Sequence, residues 1–333
     1  MKTTPTNATL LFYPQQNPHL RHFALWYFTV LLIVWNGLGH TVLGFEQSWA
    51  TPFAAVAAAL LMQFGLRWVD RVARHQPAGQ GAGGTSWVQV LPTALIPGFA
   101  CGMLLYPNER LWPVIFAASL SIASKVLIRV PVGPGRTQHV FNPSNFGIAV
   151  TLVLFPEVGF APPYHFTENI TGAWHWLIPG FILASGIFVH ARFTGRLPLC
   201  GAWIVGFVAQ GIIRAHFSGT PLFVPLMPMS SAAFIVFTLY MIPDPATTPL
   251  RPWPQVAFGL GVAVTYGVIQ WAHGVFGLFF ALVTVCAVRG LALAFVHFRQ
   301  ARFLCRPRGA QSGVGVSPAG PWRVVASRKV ARI

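Results

Sequence analysis

Charged side chains are scarce in this chain. They make up 8% of its 333 residues, and only six are acidic: Glu46, Asp70, Glu109, Glu157, Glu168 and Asp244. Soluble domains carry about 25%, so this composition does not supply a water-facing surface. Cysteine is nearly as sparse. Cys101, Cys200, Cys286 and Cys305 lie far apart with no C-x2-C pair, which removes iron–sulfur and zinc sites built on that spacing and leaves four small, apolar side chains expected to be buried. There is no Walker-type phosphate loop, no pair of carboxylates placed for acid–base work and no Ser/His/Asp arrangement. Nor is there a collagen-like period or a polar tract, so fibrous and wholly disordered readings fail.

What is abundant is apolar. Hydrophobic residues make up 54% of the chain, with 28 Phe and 12 Trp, and the mean hydropathy is +0.60. These values read as an all-α, polytopic protein of the lipid bilayer. The formal net charge of +16 would point to nucleic acid in a soluble protein. Here the basic residues are read as marking topology, and no nucleic-acid partner is expected.

A membrane helix needs about 20 mostly apolar residues. Ten such runs are expected near 23–44, 51–68, 87–106, 111–129, 143–160, 174–191, 198–214, 227–242, 254–272 and 276–297. With the N-terminus in the cytoplasm, 20 of the 22 Lys and Arg residues fall on the inner side or within the last helix, and only Arg110 and Arg214 fall outside. That asymmetry is the positive-inside pattern. It places both termini in the cytoplasm and the protein in a bacterial inner membrane. Residues 1–22 form a cytoplasmic N-terminal segment, 23–297 the transmembrane domain, and 298–333 a basic tail expected to be disordered beside anionic headgroups. The first apolar run exceeds a signal-peptide core in length and reads as a retained anchor. Ten helices divide into two sets of five, and an odd number per set makes the second enter from the opposite side. Two inverted five-helix repeats are therefore an architectural hypothesis, although similarity between the halves is too weak to display them.

Two polar segments interrupt this pattern on the expected inner face. In Gly133-Pro134-Gly135-Arg136-Thr137-Gln138-His139-Val140-Phe141-Asn142-Pro143-Ser144-Asn145-Phe146, a basic glycine-containing loop runs into a helix, with Asn142 placed as N-cap and Pro143 as the first helical residue. The free N–H groups and dipole of such a helix suit a phosphate, a carboxylate or a polar ring beside Arg136 and His139. A plain capped helix with positive-inside anchors has the same signature. The second segment, Met241-Ile242-Pro243-Asp244-Pro245-Ala246-Thr247-Thr248-Pro249, ends the eighth run on the same face, and Asp244 is one of two acids expected there.

Together HVFNPSNFGI (139–148) and MIPDPATTP (241–249) resemble the membrane-subunit family that includes RnfD and NqrB. PPYHFTENITGAWHW (162–176), FVHARFTGRLPLCGAW (188–203) and the DPATTP loop bring a closer likeness to the UnbU-type membrane proteins of enediyne biosynthesis, over about residues 85–295. The resemblance implies a ten-helix subunit that holds flavin, passes electrons across the membrane beside other membrane or soluble subunits, and in some members couples this to sodium or proton movement. On the two segments themselves, Arg136, His139 and Asn142 are expected to orient a polar cofactor group, with Asp244, Thr247 and Thr248 completing the inward-facing rim. In the RnfD and NqrB branch the flavin mononucleotide is bonded through its phosphate to the last Thr of a Ser/Thr-Gly-Ala-Thr motif. This chain has Thr171-Gly172-Ala173-Trp174, and a Trp forms no phosphoester. Covalent FMN is therefore not expected, and FMN or riboflavin would be held non-covalently, with Trp174, His175 and Trp176 either stacking on it or forming an interfacial belt.

Other readings stay open. Histidines near helix ends, His40, His175, His190, His273 and His297, allow axial haem ligation, with capping or snorkelling as the plainer alternative. Lys125 reads as an ion-path residue or, four positions before Arg129, as a snorkelling anchor, and the spacing favours snorkelling. A transporter on the same scaffold would use Pro92, Pro97, Pro221, Pro225 and Pro228 to break helices. A structural anchor would recruit soluble partners through its basic tail.

Overall fold

A computed structural model describes residues 18–304 except 74, 76–86, 109, 134–135 and 161–170. The architecture is a helical bundle with very little sheet. In chain order it comprises α1 (Pro18–Leu38, continued by a π-helical turn Gly39–Leu43), α2 (Ala50–Ala73), α3 (Trp87–Leu104), β1 (Leu105–Tyr106), α4 (Trp112–Leu127), β2 (Arg129–Gly133), β3 (Arg136–His139), α5 (Pro143–Leu154) and β4 (Gly159–Phe160). A 3-10 turn (Gly172–Trp176) then leads into α6 (Leu177–Val189, continued by a π-helical turn His190–Thr194) and α7 (Leu197–Ser218). The remainder is α8 (Phe223–Leu226), a 3-10 turn (Met227–Ser230), α9 (Ala232–Val236, continued by a π-helical turn Phe237–Met241), α10 (Pro252–Trp271) and α11 (Gly277–Leu304).

Five helical stretches are long and apolar enough to cross a membrane: His22–Leu43, Ala50–Ala73, Gly172–Thr194, Leu197–Ser218 and Gly277–Arg299. Phe223–Ser230 and Ala232–Met241 form a sixth candidate, bent by 72°. Large apolar side chains face outward along these helices, among them Phe53, Leu61, Val205 and Leu291. An apolar exterior of this extent fits lipid and not water.

The structure alters several expected boundaries. The fifth run stops at Leu154, not 160, because Pro156 drives Phe155 out of the helical region to φ −125°, ψ 88°. The chain then returns as β4, which pairs with β1, Leu105 opposite Phe160. At the other end α11 runs on to Leu304, beyond the expected 297. Residues 305–333 of the tail, 1–17 of the N-terminal segment and most of the segment 162–176 lie outside the described residues. Of the two proline-rich stretches, 92–98 does not break its helix, since α3 carries Pro92 and Pro97 in a continuous run. The second does break. Pro225 and Pro228 precede a bend at Ser231, whose hydroxyl donates to the Pro228 carbonyl (2.8 Å) and accepts from the N–H of Phe234 (3.1 Å), capping a fresh helix start.

Packing repeats between the first five helices and the rest. α1 packs on α3, α2 on α3 and α4, and α4 on α5; likewise α6 packs on α9, α7 on α8 and α10, and α10 on α11. Both α1 and α6 end in a π-helical turn closed by a left-handed glycine, Gly44 (φ 82°) and Gly195 (φ 64°). Small residues bring paired helices together. A Cβ on Gly98 or Gly102 of α3 would come within 3.0 Å of the backbone of Val56 or Pro52 in α2. A Cβ on Gly147 of α5 would collide with the Ala117 carbonyl and Ser121 hydroxyl of α4. A signal in the sequence accompanies this repeat: Tyr106-Pro107-Asn108 before Arg110-Leu111-Trp112-Pro113 matches Ile242-Pro243-Asp244 before Arg251-Pro252-Trp253-Pro254, the second copy being longer within the loop.

Candidate functional site

A cavity of about 760 Å³ lies between the two helix sets. Its apolar wall includes Phe28, Leu32 and Trp35 of α1, Ile96 and Ala100 of α3, and Ile182 of α6. Phe28 stacks on Tyr240 at 5.2 Å and 15°, and the Tyr240 hydroxyl lies 2.6 Å from that of Ser185. At one end the wall turns polar, where α4, the β2–β3 hairpin, the start of α5 and the loop after α9 converge.

The hairpin places His139 opposite Arg129 in register. Asn142 then caps α5 as the sequence indicates: its backbone is extended (φ −60°, ψ 122°), its Oδ1 accepts the N–H of Asn145 (3.1 Å), and Pro143 follows. Its Nδ2 donates to the Met241 carbonyl (2.9 Å), so one buried amide both caps α5 and holds it to the end of α9. The Ser144 hydroxyl donates to the same Oδ1 (3.0 Å). Most of the Asn142 hydrogen-bonding capacity is therefore spent within the protein.

The loop after α9 is organised around Asp244. The Asp244 carboxylate accepts the N–H of Ala246 (3.0 Å) and the Thr247 hydroxyl (3.3 Å). Its backbone carbonyl accepts the N–H groups of Thr247 and Thr248 (both 3.1 Å) and the Thr248 hydroxyl (2.6 Å). Asx-type turns of this kind fix a loop locally. Burial acts to raise the Asp244 carboxyl, and its contacts with His139 (3.8 Å), Ala246 and Thr247 outweigh it, leaving the group below its ordinary 3.8.

Arg196 holds this loop from behind. It is fully buried between Gly195 and the start of α7, and it donates to the carbonyls of Pro249, Pro245 (3.3 Å) and Thr248 (3.4 Å). Burial lowers its guanidinium to about 10, which leaves it charged at neutral pH. Gln255 adds donations to Gly195 and Leu250 (3.2 and 3.0 Å). Counted only as a positive-inside residue, Arg196 was not among the sequence-derived site positions. The signal was its place at a helix start, where the dipole disfavours a cation and only a specific carbonyl cage compensates.

The structure thus brings His139, Asn142, Asp244 and Thr248 to the lining of one cavity. Thr247 is buried within the loop and outside that lining. Arg136 lies on β3 opposite Gly133, its side chain outside the described residues. Three further basic residues line the polar end that sequence reasoning left out of the site: Arg129, Arg251 and Arg289. Lys125 joins them, and the snorkelling expectation for it is overturned: its Nζ turns inward to Gln63 Oε1 (2.7 Å) and the Thr93 carbonyl (2.9 Å). His190 is neither a cap nor a surface anchor, since its Nδ1 meets the Thr194 hydroxyl (2.6 Å) and its Nε2 the Leu239 carbonyl (2.5 Å), tying α6 to α9.

For a covalent flavin the residues do not fit. Trp174 and Trp176 are exposed, Thr171 precedes a short turn without capping it, and none of the three lines the cavity. Cys101, Cys200 and Cys286 are buried and unpaired. No family model matches this chain, and no curated protein matches it.

Proposed function

We propose that this is a ten-span inner-membrane protein, built as two inverted five-helix repeats, that takes part in electron transfer through a non-covalently held flavin or quinone. The observation that carries the reading is the cavity, whose polar end is built from the two segments, 139–148 and 241–249, that resemble the RnfD/NqrB and UnbU-type proteins. Its volume lies within the roughly 300–1,000 Å³ of small-molecule sites. A flavin or quinone there would be held by the aromatic pair Phe28–Tyr240 and by donors at the polar end, His139 and Arg289 among them. The bound group would supply storage and release of electrons, which the chain's own side chains do not offer. Other membrane or soluble redox subunits would then be its partners, with an enediyne-type biosynthetic pathway as the setting. The repeated packing of α1–α5 in α6–α11, and the shared π-turn and glycine endings, support the two-repeat arrangement.

The test is to purify the protein in mild detergent without added cofactor, record its absorbance, and precipitate it with acid. Flavin fluorescence in the supernatant, or a quinone in an organic extract, supports the reading. A folded, colourless protein with neither favours the second reading, a transporter, which the 72° break in α8–α9 favours independently. Substrate-dependent flux into liposomes would then be the decisive assay.

A further inference from the structure

The polar end of the cavity has an imbalance of charge. Lys125, Arg129, Arg251 and Arg289 line it, against the single acid Asp244. Asp244 is already taken up by Ala246, Thr247 and His139. Arg129 is satisfied by Thr137 and by the Lys125 carbonyl. Arg251 is exposed at the start of α10, which leaves Lys125 and Arg289. The hydrogen-bond acceptors of Lys125, Gln63 and Thr93, are neutral, and the one acid whose charge reaches it is Asp244, already engaged by its own loop and His139; among the described residues Arg289 has no hydrogen-bond or ion-pair partner. Both project from apolar helices, where a cation without a contacting carboxylate is costly and marks a functional site.

The cavity is also elongated, with its cations at one end. Lys125 reaches the Thr93 carbonyl near the start of α3, and Gly290, next to Arg289, packs on Val140 beside the hairpin. From Thr93 the lining continues along α3 to Leu104, about 17 Å at the helical rise. There it meets Leu43 and Phe45 at the far end of α1, where Gln47 donates to the Met103 and Leu105 carbonyls. The intervening wall is apolar.

We propose that this cavity binds a single-chain anionic amphiphile, its phosphate or carboxylate between Lys125 and Arg289 and its apolar chain along α1 and α3. A charge-assisted contact to two cations fixes the head, and the chain gains from burial. The inference uses the same cavity as the functional reading but rests on charge and shape, so it stands whether or not the occupant is redox-active. A neutral quinone or riboflavin would leave both cations unpaired.

The experiment is native mass spectrometry of the full chain released from detergent, after incubation with dodecyl phosphate, dodecanol or dodecyltrimethylammonium. One dodecyl phosphate per chain is expected, with no retention of the cationic analogue and at least tenfold weaker retention of the alcohol. The pair Lys125→Met and Arg289→Met should lower dodecyl phosphate affinity at least tenfold, while Lys125→Arg with Arg289→Lys retains most of it. Size-exclusion profiles and helical circular dichroism confirm that each variant is folded. Equal retention of anion and alcohol, or an unaltered Met/Met variant, would overturn the proposal. So would displacement by inorganic phosphate at the same concentration as dodecyl phosphate, because the chain would then contribute nothing. An organic extract of the untreated protein separates the sources: diacyl phospholipid alone overturns the single-chain assignment, and a single-chain phosphate or carboxylate supports it. The flavin assay is read on a separate sample, so a colourless protein that binds dodecyl phosphate refutes only the redox reading.

Discussion

Gln47 and Arg196 hold matching places in the two halves of the protein. Each follows the left-handed glycine that closes a π-helical turn, Gly44 or Gly195, and each donates to backbone carbonyls, Gln47 at the end of α3 and Arg196 in the loop after α9. Gln47 reaches Met103 and Leu105 (3.4 and 2.7 Å), and Arg196 reaches Pro245, Thr248 and Pro249. A neutral amide suffices where the following loop is short. Where the loop is longer and carries Asp244, the donor is a guanidinium with more N–H groups and a charge.

Replacing Arg196 with Met should therefore leave three loop carbonyls without their donor and destabilise the fold by on the order of 3 kcal/mol. Arg196→Lys should recover only part of this, since an ammonium lacks the planar fork. Gln47→Leu should cost less, about 1–2 kcal/mol. Thermal unfolding in one detergent, followed by tryptophan fluorescence, checks the order; a Lys variant as stable as the parent would contradict it.

Asn142 has two separable roles. Asn142→Ala removes both the cap and the tie to Met241, for about 2 kcal/mol. Asn142→Asp keeps the cap oxygen but loses the Nδ2 donor, so it should fall between parent and Ala. If Asp is worse than Ala, the cap is not the larger contribution.

Because the Asp244 carboxyl lies below 3.8 in the folded protein, its contribution is present above that pH and is lost as pH falls through the lower folded value. The unfolded state then binds more protons than the folded one, and stability falls with pH. Unfolding midpoints measured from pH 5 downward should drop more steeply in the parent than in Asp244→Asn. Parallel curves would show that the group is not depressed.

At Gly147 an added methyl group has no room between Ala117 and Ser121, and Gly147→Ala should cost about 1–3 kcal/mol. Gly37 of α1 has nothing within 4 Å of the same position, so Gly37→Ala should be neutral or stabilising by up to about 1 kcal/mol. Equal midpoints for the two variants would argue against the close approach of α4 and α5.

The proposed ten-span arrangement requires opposite labelling of two loops. After replacement of the native cysteines, Asn108→Cys should react with a membrane-impermeant maleimide in intact cells. Val132→Cys, in the hairpin, should react only after permeabilisation. Reaction of both from the same side would remove one span between them.

Much of the bundle was legible because lipid imposes a simple length rule on apolar runs, and the Asn142-Pro143 cap was legible because its chemistry is local. What escaped depends on distance. The end of α5 is the exception, since Pro156 marks it locally and hydropathy alone passes over it; the turn of Lys125 toward Gln63 and Thr93 needs α2 and α3 in place. The local spacing to Arg129 argued for snorkelling, and tertiary acceptors won. Arg289 was visible only as a charge within an apolar run. Its place at the cavity appears once α11 lies beside the hairpin. The Tyr106–Pro113 and Ile242–Pro254 repeat was present in the letters but masked by the unequal loop lengths.

The bend at Ser231 has a mechanical consequence. α4–α5 and α7–α10 are locked by glycines against carbonyl groups, Gly147 on Ala117 and Gly259 on Leu199, so neither pair can slide without a clash. α9, by contrast, lines the cavity through Leu239 and Tyr240 and joins α8 through a corner where the helical ladder is already interrupted. Strain imposed by an incoming molecule is released most cheaply at that corner, and amide hydrogen exchange upon binding should change first around Ser231 while α5 and α10 remain slow.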